Sequence, residues 1–440
     1  MDELPKSLLL EILSRLDDSA DVARCRVASK AFNTLFPDLR SINLLCPRKW
    51  RGSSSSTGSS SSLKKVFVDL LSKLRIVESV RLRLHLEDAV DEDFAKEWLP
   101  RVSRSLKSLS LSALPYSIVL YSNALPLIST HCHNLTKLNL GLPCLYVDHL
   151  NPMPMLTSLT LECTILQDHH LHQLNKCFPN LQLLKLVCLK GLKEPKIHLL
   201  NLQTCHWVVY NGQPSLTLIT PNLLTLRIEC STPIAIHVEA PVLSRFYLRL
   251  YALKHVGALT AEKFQNLKTL WLDSMYIDSV LSEFPITKTV TNLTLDSGNK
   301  ASRDAKDSKL TLGMVFTTFP NLTSLCIKSN VWSELEACLN PEGWEILDGR
   351  IGLKTICAYL KLVDPSLTFS YVAFMLDRCK GLSEVSFLIH AGVVGTESNT
   401  FMSKCMARWP GLKWRWGVWS AYMEDSWITD GVSDWIPQII

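Results

Sequence analysis

A short apolar frame recurs along most of the chain. Leucine or a similar residue follows the order L-x-x-L-x-L in segments such as NLTKLNL, MLTSLTL, NLQLLKL and NLTSLCI. The frames begin 20 to 38 residues apart, and self-similarity of this kind indicates a repeat protein. Their first apolar positions are Leu39, Val77, Leu106, Leu135, Leu156, Leu181, Leu202, Leu223, Leu243, Leu267, Val290, Leu322, Leu353 and Leu382.

The second half of each frame predicts a β-strand. In x-L-x-L-x the leucines point to one side of an extended chain and the intervening residues point to the other. A lone strand cannot bury its apolar side, so neighbouring repeats must stack into a continuous core. Frame and period are typical of leucine-rich repeats. They predict an α/β fold, a horseshoe with a parallel concave sheet.

The segments between frames predict a convex face of mixed structure. Helix-length segments precede several frames, at residues 167–178, 369–379 and 397–409. Between residues 199 and 259 no such segment occurs, and the alternation at residues 234–238 predicts a second, outer strand instead. The convex face is therefore expected to change from helix to strand and back.

The N-terminal end has a different pattern. Its apolar residues recur at helical spacing and predict one amphipathic helix, in which Pro5 fits at or before the first turn. Two more short amphipathic segments follow, at residues 19–27 and 28–36, with Ser19 and Ser29 as candidate N-caps. Three such short helices bury little surface alone, so they must pack on the repeats, on a partner, or on both. The apolar residues of the first helix are Leu4, Leu8, Leu9, Ile12, Leu13 and Leu16.

These N-terminal residues resemble an F-box, the module that docks on the Skp-type adaptor of cullin–RING ubiquitin ligases. Phe32 stands where Trp is common, and Lys6-Ser7 replaces a frequent acidic pair. An N-terminal F-box followed by irregular leucine-rich repeats is similar to the plant F-box/LRR group. The matching segments are Leu4-Pro5, Leu8-Leu9, Glu11-Ile12-Leu13, Leu16, Asp21-Val22, Arg24-Cys25-Arg26, Val27, Ser29-Lys30, Phe32 and Leu35.

The resemblance implies an F-box over residues 1–38 and repeats over residues 39–440. It also implies a Skp-type adaptor as partner and, through the adaptor, a cullin. The alternative interpretation is that the segment only caps the open end of the repeats. The residues expected to bind the adaptor are Leu4, Pro5, Leu8, Leu9, Ile12, Leu13, Leu16, Val22, Val27, Ser29 and Phe32.

In each strand, the residue between the last two leucines of the frame is expected to face solvent on the concave sheet. These residues form a column across the strands, and its side chains become large, basic and aromatic in the middle of the chain. Tyr, Trp and Arg are the residue types that dominate interface hot spots. A protein substrate, with an acidic or phosphorylated segment, is one interpretation. The other is that the arginines only pair with Glu229 and Asp273. The column is Ser110, Asn139, Thr160, Lys185, His206, Arg227, Tyr247, Trp271, Thr294 and Cys326, and the candidate substrate-binding residues are His206, Arg227, Arg245, Tyr247, Arg249, Trp271 and Asp273.

Composition limits the alternatives. The formal charge of +5 is mild and the basic residues are scattered, which argues against nucleic acid. No apolar run approaches the roughly 18 residues of a membrane helix, and no secretory signal is visible, so a cytoplasmic or nuclear protein that binds no membrane is expected. The fourteen cysteines show no C-x-x-C spacing, which indicates buried thiols, no metal site and no cofactor.

Two further segments stand out. Residues 52–62, GSSSSTGSSSS, predict a disordered insertion. Half of the twelve tryptophans lie in the tail, where they are expected to form an aromatic C-terminal cap on the last repeat. They are Trp409, Trp414, Trp416, Trp419, Trp427 and Trp435.

The sequence contains no G-x-S-x-G, P-loop, H-E-x-x-H or G-x-G-x-x-G motif, so no enzymatic activity is predicted. The resemblance implies a substrate-recognition subunit of a Skp–cullin–F-box (SCF) E3 ubiquitin ligase, which binds its protein substrate on the concave face. A small-molecule, hormone-like co-receptor of the same architecture is the alternative. A non-degradative F-box scaffold is a further one.

Overall fold

A computed structural model of the chain describes residues 4–16, 18–45, 58–85, 92–114, 121–210, 215–231, 235–251, 259–261, 264–298, 310–337, 352–393, 395–421 and 424–427. The chain forms two compact units, Met1–Leu223 and Leu224–Ile440. Each unit combines a sheet of parallel strands with a second layer of helices and short strands. The predicted α/β leucine-rich-repeat fold class is confirmed.

The first unit begins with three short helices, α1 (Lys6–Ser14), α2 (Ser19–Ala28) and α3 (Lys30–Leu35), and a 3-10 turn at Phe36–Asp38. Both α1 and α2 pack on α3, and α2 also contacts the first strand. The backbone N–H of Asn43 in that strand donates to Ser19 Oγ at 2.9 Å. The N-terminal helices are thus attached to the repeats rather than separate from them.

Seven strands of the first unit lie side by side in the order β1-β2-β3-β5-β7-β8-β10, and all pair in parallel. Each strand comes from one frame. Their bounds are β1 (Ser41–Leu45), β2 (Ser79–His85), β3 (Ser108–Leu114), β5 (Lys137–Gly141), β7 (Ser158–Glu162), β8 (Leu183–Val187) and β10 (Thr204–Val209).

The second layer of the first unit changes from helix to strand along the chain. Phe67 of α4 lies 5.1 Å from the Trp98 ring of α5, and both side chains are fully buried. The elements of this layer are α4 (Gly58–Lys73), α5 (Glu92–Val102), α6 (Ala124–His131), α7 (Asp168–Cys177), the pair β4 (Tyr121–Ser122) and β6 (Cys144–Leu145), and the pair β9 (Lys196–His198) and β11 (Ser215–Ile219).

The second unit continues the same plan with nine strands in the order β12-β14-β16-β17-β18-β19-β20-β21-β22. All pair in parallel except the last two, which are antiparallel. They are β12 (Thr225–Cys230), β14 (Arg245–Leu250), β16 (Thr269–Ser274), β17 (Asn292–Asp296), β18 (Ser324–Ile327), β19 (Thr355–Leu360), β20 (Glu384–His390), β21 (Lys413–Trp419) and β22 (Ser426–Trp427).

Its second layer begins with a strand pair and ends with helices, as the missing and recurring helix patterns predict. Trp332 of α10 is the centre of the helical part, with its ring 5.2 Å from Tyr371 and 6.0 Å from Phe387. A 3-10 turn occupies Ala391–Val393. The elements are β13 (Ala235–Glu239), β15 (Leu259–Ala261), α8 (Ile277–Glu283), α9 (Leu312–Thr318), α10 (Ser329–Ala337), α11 (Pro365–Arg378) and α12 (Thr396–Arg408).

Burial alternates along the strands as the frame predicts. In β8, Leu184 and Leu186 are at most 2% exposed, whereas Lys185 between them is half-buried. The same alternation occurs in β12, where Leu226 and Ile228 are buried around Arg227. Since each leucine contacts the equivalent leucines of its neighbours, the core is a stack of apolar layers rather than one compact centre.

A row of asparagines links the repeats at the start of the frame. Each asparagine immediately precedes a first frame leucine, and its side-chain N–H donates to a backbone carbonyl of the preceding repeat at 2.8–3.2 Å. The row satisfies carbonyls that the turns between repeats leave without a strand partner. Its members are Asn134, Asn180, Asn201 and Asn222 in the first unit, and Asn266 and Asn321 in the second.

Two local expectations have different outcomes. The candidate N-cap Ser19 is wrong, because Asp18 occupies that position and its side chain accepts from the Ala20 N–H at 2.9 Å. Ser29 does occupy the N-cap position of α3, but its side chain makes no capping hydrogen bond.

Of the Ser-rich segment, residues 52–57 lie outside the described residues and residues 58–62 belong to α4.

The tail tryptophans pack on the last repeats. Trp414 and Trp416 stack with ring centroids 5.3 Å apart, and both rings contact Phe387. Trp409 donates to Asp377 at 2.9 Å, and Trp419 donates to the Leu360 carbonyl at 3.1 Å. Trp414, Trp416 and Trp419 belong to β21 itself, Trp435 lies outside the described residues, and the aromatic cap stays a prediction.

We predict that the asparagine row stabilises the first unit. Replacing Asn134, Asn180, Asn201 and Asn222 together by Ala removes four side chain–backbone hydrogen bonds. Each contributes about 0.5–1.5 kcal/mol, so the free energy of unfolding, measured by urea denaturation, should fall by roughly 2–6 kcal/mol. The control variant, Gln182→Ala with Gln203→Ala, alters exposed side chains one position after the first frame leucine. Equal stability of the two variants would contradict the role of the row.

Candidate functional site

Helix α1 has two apolar faces. Leu9 and Leu13, one helical turn apart, are at most 2% exposed and face α3. Leu4, Leu8 and Ile12 are 37–42% exposed. Leu8 and Ile12 lie about one turn apart on one side of the helix, and Leu4 precedes the N-cap residue, Pro5. We name these three residues the α1 stripe. The chain's own packing therefore buries Leu9 and Leu13 and leaves the α1 stripe partly exposed.

The remaining predicted adaptor residues divide in the same way. Val22 and Phe32 are buried between the helices, and Leu16 and Ser29 are half-buried. Val27 near the end of α2 is 92% exposed, which is unusual for a β-branched apolar side chain in a folded module. The structure thus separates residues that shape the module from residues that are free for contact.

The solvent-facing column predicted from the frame is present in both units. In the first, Ser110, Asn139, Thr160, Lys185 and His206 are register partners on successive strands. In the second, the column runs from Arg227 through Tyr247, Trp271, Thr294 and Cys326, and it continues through Cys357, Ser386 and Arg415. Side chains that lie far apart in the sequence therefore stand side by side on each sheet.

Two buried acids organise the aromatic and basic part of the second unit. Glu229 and Asp273 are 4% and 3% exposed. Arg227 Nε donates to Glu229 Oε1 at 2.6 Å, and Arg249 Nε donates to Asp273 Oδ2 at 2.5 Å. A second Glu229 oxygen accepts from the Tyr251 hydroxyl at 2.9 Å. We name the seven residues the β12–β16 cluster: Arg227, Glu229, Tyr247, Arg249, Tyr251, Trp271 and Asp273.

The rings of the cluster lie between these ion pairs. Tyr247 and Trp271 have ring centroids 5.3 Å apart, and the Arg227 guanidinium lies 4.5 Å from the Tyr247 centroid. Both rings are half-buried. The result is a partly exposed aromatic surface held in place by paired charges, in which two arginines and two carboxylates balance.

The candidate substrate residues are not all in this cluster. Arg245 lies at the start of β14, exposed to solvent, and makes no ion pair with the described residues. His206 belongs to β10 of the first unit. The alternative of internal pairing therefore describes Arg227 and Arg249, whereas Arg245 is the basic side chain that projects from the surface.

Sequence reasoning missed the residues that extend the cluster along the sheet. Lys328 Nζ lies 5.9 Å from the Trp271 ring centroid and 3.6 Å from that of Tyr359. Tyr359 in turn donates its hydroxyl to Asp425 Oδ2 at 2.6 Å. Lys328 follows the last strand residue of its frame, and Asp425 lies in the tail, so neither belongs to the column that the frame identifies.

Burial changes the acidity of two groups in the cluster. Loss of hydration, assisted by the nearby Asp296, raises the pKa of Asp273 to about 6 against the opposing charge of Arg249. Burial, with the Asp273 charge, also raises the pKa of the Tyr247 hydroxyl. Desolvation and the neighbouring acids therefore outweigh the attraction of Arg249 at Asp273, whereas the attraction of Asp273 raises the pKa of Arg249 despite burial.

The described residues show no sign of a metal site or of a membrane span. Within those ranges, no three His, Cys, Asp or Glu side chains are grouped so that they could hold a metal ion. None of the helices that the structure describes is both long and apolar enough to cross a membrane. Two surfaces suited to binding a protein are the α1 stripe and the β12–β16 cluster.

Asp273 predicts a specific pH dependence of stability. Its pKa is higher in the folded chain than the roughly 3.9 of an unfolded one, so the folded state binds more protons between about pH 4 and pH 6. The contribution of Asp273 to the free energy of unfolding should fall by on the order of 2–3 kcal/mol as pH rises through this window. The difference in stability between wild type and Asp273→Asn, measured by urea denaturation from pH 4 to pH 7, should show this fall.

The exposed acid Asp377 provides the matched control, since Asp377→Asn should leave the pH profile unchanged. An Asp273→Asn profile parallel to that of wild type would show that the carboxylate titrates normally.

Comparison with known proteins relates this architecture to one family. A family model described as F-box-like matches residues 1–41, the segment that contains α1, α2 and α3. F-box/LRR-repeat protein At4g29420 of Arabidopsis thaliana is 35% identical over 450 residues, which cover 97% of this chain and 100% of that relative. The chain therefore belongs to the F-box/LRR-repeat proteins.

Proposed function

We propose that the protein is the substrate-recognition subunit of an SCF E3 ubiquitin ligase. The observation that supports this most is the α1 stripe, an apolar helix face that the chain leaves in solvent within its F-box. A Skp-type adaptor is its proposed partner, and a cullin binds through that adaptor. The subunit itself needs no catalytic group, because holding a substrate close to a bound conjugating enzyme is sufficient to promote transfer. Such a complex acts in the cytoplasm or the nucleus.

The exposed fractions limit what the stripe can contribute to affinity. Fully burying such a side chain yields about 1.5–3 kcal/mol. Leu4, Leu8, Ile12 and Val27 are 37%, 42%, 37% and 92% exposed, so the remaining gain is roughly 3–6 kcal/mol. A micromolar complex requires about 8 kcal/mol. The adaptor must therefore also contact further surface of the F-box, such as the exposed Pro5 and the polar α2–α3 junction near Ser29.

The buried residues of the F-box have a supporting role in this proposal. Leu9, Leu13, Val22 and Phe32 hold α1 and α2 against α3, and in that way they fix the angle at which the α1 stripe is presented. Their replacement should unfold the module rather than weaken a contact. Leu16, which is half-buried, stands between the two groups.

For the substrate we propose a protein that contacts the sheet of the second unit at Arg245, Tyr247 and Trp271. An aromatic surface in a rigid setting is suited to a hot spot. This surface is supported by Arg227, Arg249 and Asp273, which hold the rings in place. An acidic or phosphorylated segment would have to displace Glu229 or Asp273 to reach those arginines. Arg245 is the basic residue able to meet an acidic side chain directly. His206 is a proposed contact in the first unit.

The balanced charges of the β12–β16 cluster favour a protein substrate over a small phosphate-rich ligand. A pocket for such a ligand needs several unpaired basic groups.

A non-degradative scaffold would use the same two surfaces and differs only in the fate of the bound protein.

Substitutions in the α1 stripe test adaptor binding directly. Leu8→Asp with Ile12→Asp places two charges in an apolar contact and should weaken binding of a purified Skp-type adaptor by roughly 100-fold or more, as measured by isothermal titration calorimetry. Both side chains are exposed, so circular dichroism should remain that of the wild type. Met155→Asp with Leu200→Asp, at sites 52% and 57% exposed on the repeats, is the matched control. Unchanged affinity of the α1 variant would refute adaptor docking.

Substitutions on the sheet of the second unit test whether this surface binds target proteins. Arg245→Glu with Trp271→Ala should remove most targets from a proximity-labelling screen while adaptor binding stays intact, because charge and ring are lost together. Lys137→Glu with Thr160→Ala alters the equivalent strand positions in β5 and β7 of the first unit. If the Arg245→Glu, Trp271→Ala variant captured the same targets as the wild type and the control variant, this surface would not be the substrate site. That conclusion would hold even if the α1 variant had lost adaptor binding.

A further inference from the structure

Two cysteines of the second unit face each other across neighbouring strands. Cys326 of β18 and Cys357 of β19 are direct register partners in a parallel pair. Both belong to the solvent-facing column of the sheet, and both are partly exposed. Thr294 and Ser386, the small residues on either side in the column, leave the two thiols side by side.

The two thiols influence each other's acidity. The Cys357 thiol, together with the Lys328 ammonium, lowers the pKa of Cys326 against the effects of burial and of Asp296 and Asp425. Cys326 in turn raises the pKa of Cys357. One sulfur of the pair is thus favoured as the nucleophile and the other as the proton-bearing partner.

Strand geometry allows a covalent bond between them. Neighbouring strands lie about 4.8 Å apart, and disulfides join residues whose Cα atoms are roughly 4.4–6.8 Å apart. Other thiols of the second unit, such as Cys230, Cys379 and Cys405, are buried, and burial raises the pKa of each to about 12. The pair differs from them in exposure, in partner and in electrostatic setting.

We propose that Cys326 and Cys357 form a reversible intrachain disulfide on the solvent-facing side of the sheet when the protein meets a hydroperoxide. This modification site is independent of the proposed ligase function. A bond between β18 and β19 would lie beside Lys328 and Tyr359, the contact that extends the β12–β16 cluster.

The chemistry needs only the two thiols and the peroxide. The Cys326 thiolate attacks one peroxide oxygen, the O–O bond breaks, and hydroxide leaves and takes a proton to become water. The resulting sulfenic acid is then attacked at sulfur by Cys357, which forms the S–S bond and releases a second water. Two thiols and one hydrogen peroxide thus give one disulfide and two waters. A thiol reductant reverses the reaction by exchange.

Differential alkylation of the intact wild-type chain tests this proposal. The reduced protein is treated with increasing hydrogen peroxide, its free thiols are alkylated, and unreduced digests are analysed by mass spectrometry. We expect a peptide that links Cys326 to Cys357, loss of alkylation at both sites, and recovery of alkylation after dithiothreitol. Buried thiols such as Cys405, alkylated after denaturation, should remain reduced at the same peroxide concentration.

Single variants assign the two roles. Cys357→Ser should leave a sulfenic acid on Cys326 that dimedone labels, whereas Cys326→Ser should leave Cys357 unoxidised. Cys25→Ser, which removes a partly exposed thiol of the F-box, should leave the linked peptide unchanged. The proposal is overturned if the exposed Cys163 oxidises while Cys326 and Cys357 remain alkylated, or if either cysteine links to another thiol instead.

Discussion

Register between neighbouring parallel strands is the constraint on which the rest of the structure depends. A strand of the x-L-x-L-x kind has no stable state alone, because its leucines find partners only on the strands before and after it. Side chains alternate with a period of two, so a slip of one residue would turn every leucine to solvent. Once register is fixed, the solvent-facing column follows. The same constraint places Tyr247 beside Trp271 and Cys326 beside Cys357, which are 24 and 31 residues apart in the sequence.

This dependence explains which features could be predicted from sequence alone. The frame identified the strands, the change from helix to strand in the second layer, and the membership of the column, because each follows from periodicity. It could not show that Glu229 and Asp273, the expected alternative partners of the arginines, are buried at the centre of the cluster, because burial depends on the neighbouring strands. Lys328 and Asp425 were out of reach for the same reason. Their contacts depend on where a turn and a tail lie after folding.

Helix ends and the asparagine row show a second limit. Asp18 and Ser19 are both good N-cap residues, and the choice between them depends on the bond from Asn43 to Ser19, a contact with a strand more than twenty residues away. The asparagines of the row stand immediately before the first frame leucine. Their role becomes visible only when the carbonyls of the preceding repeat are in place. Local sequence preferences therefore identified the candidate N-cap residues and the asparagine positions. Tertiary contacts determine which residue caps the helix and what the asparagines bond.

The same reasoning divides α1 into a structural face and a free face. Its apolar residues look alike in the sequence, but packing on α3 buries Leu9 and Leu13 and leaves the α1 stripe partly exposed. The central claim is that this exposed face is an adaptor-binding surface. Hydrogen–deuterium exchange of the intact chain, with and without a purified Skp-type adaptor, tests it most directly. The account predicts slower exchange in α1 and at the α2–α3 junction, with no change in β12 to β16. Unaltered exchange in α1 at saturating adaptor would contradict it.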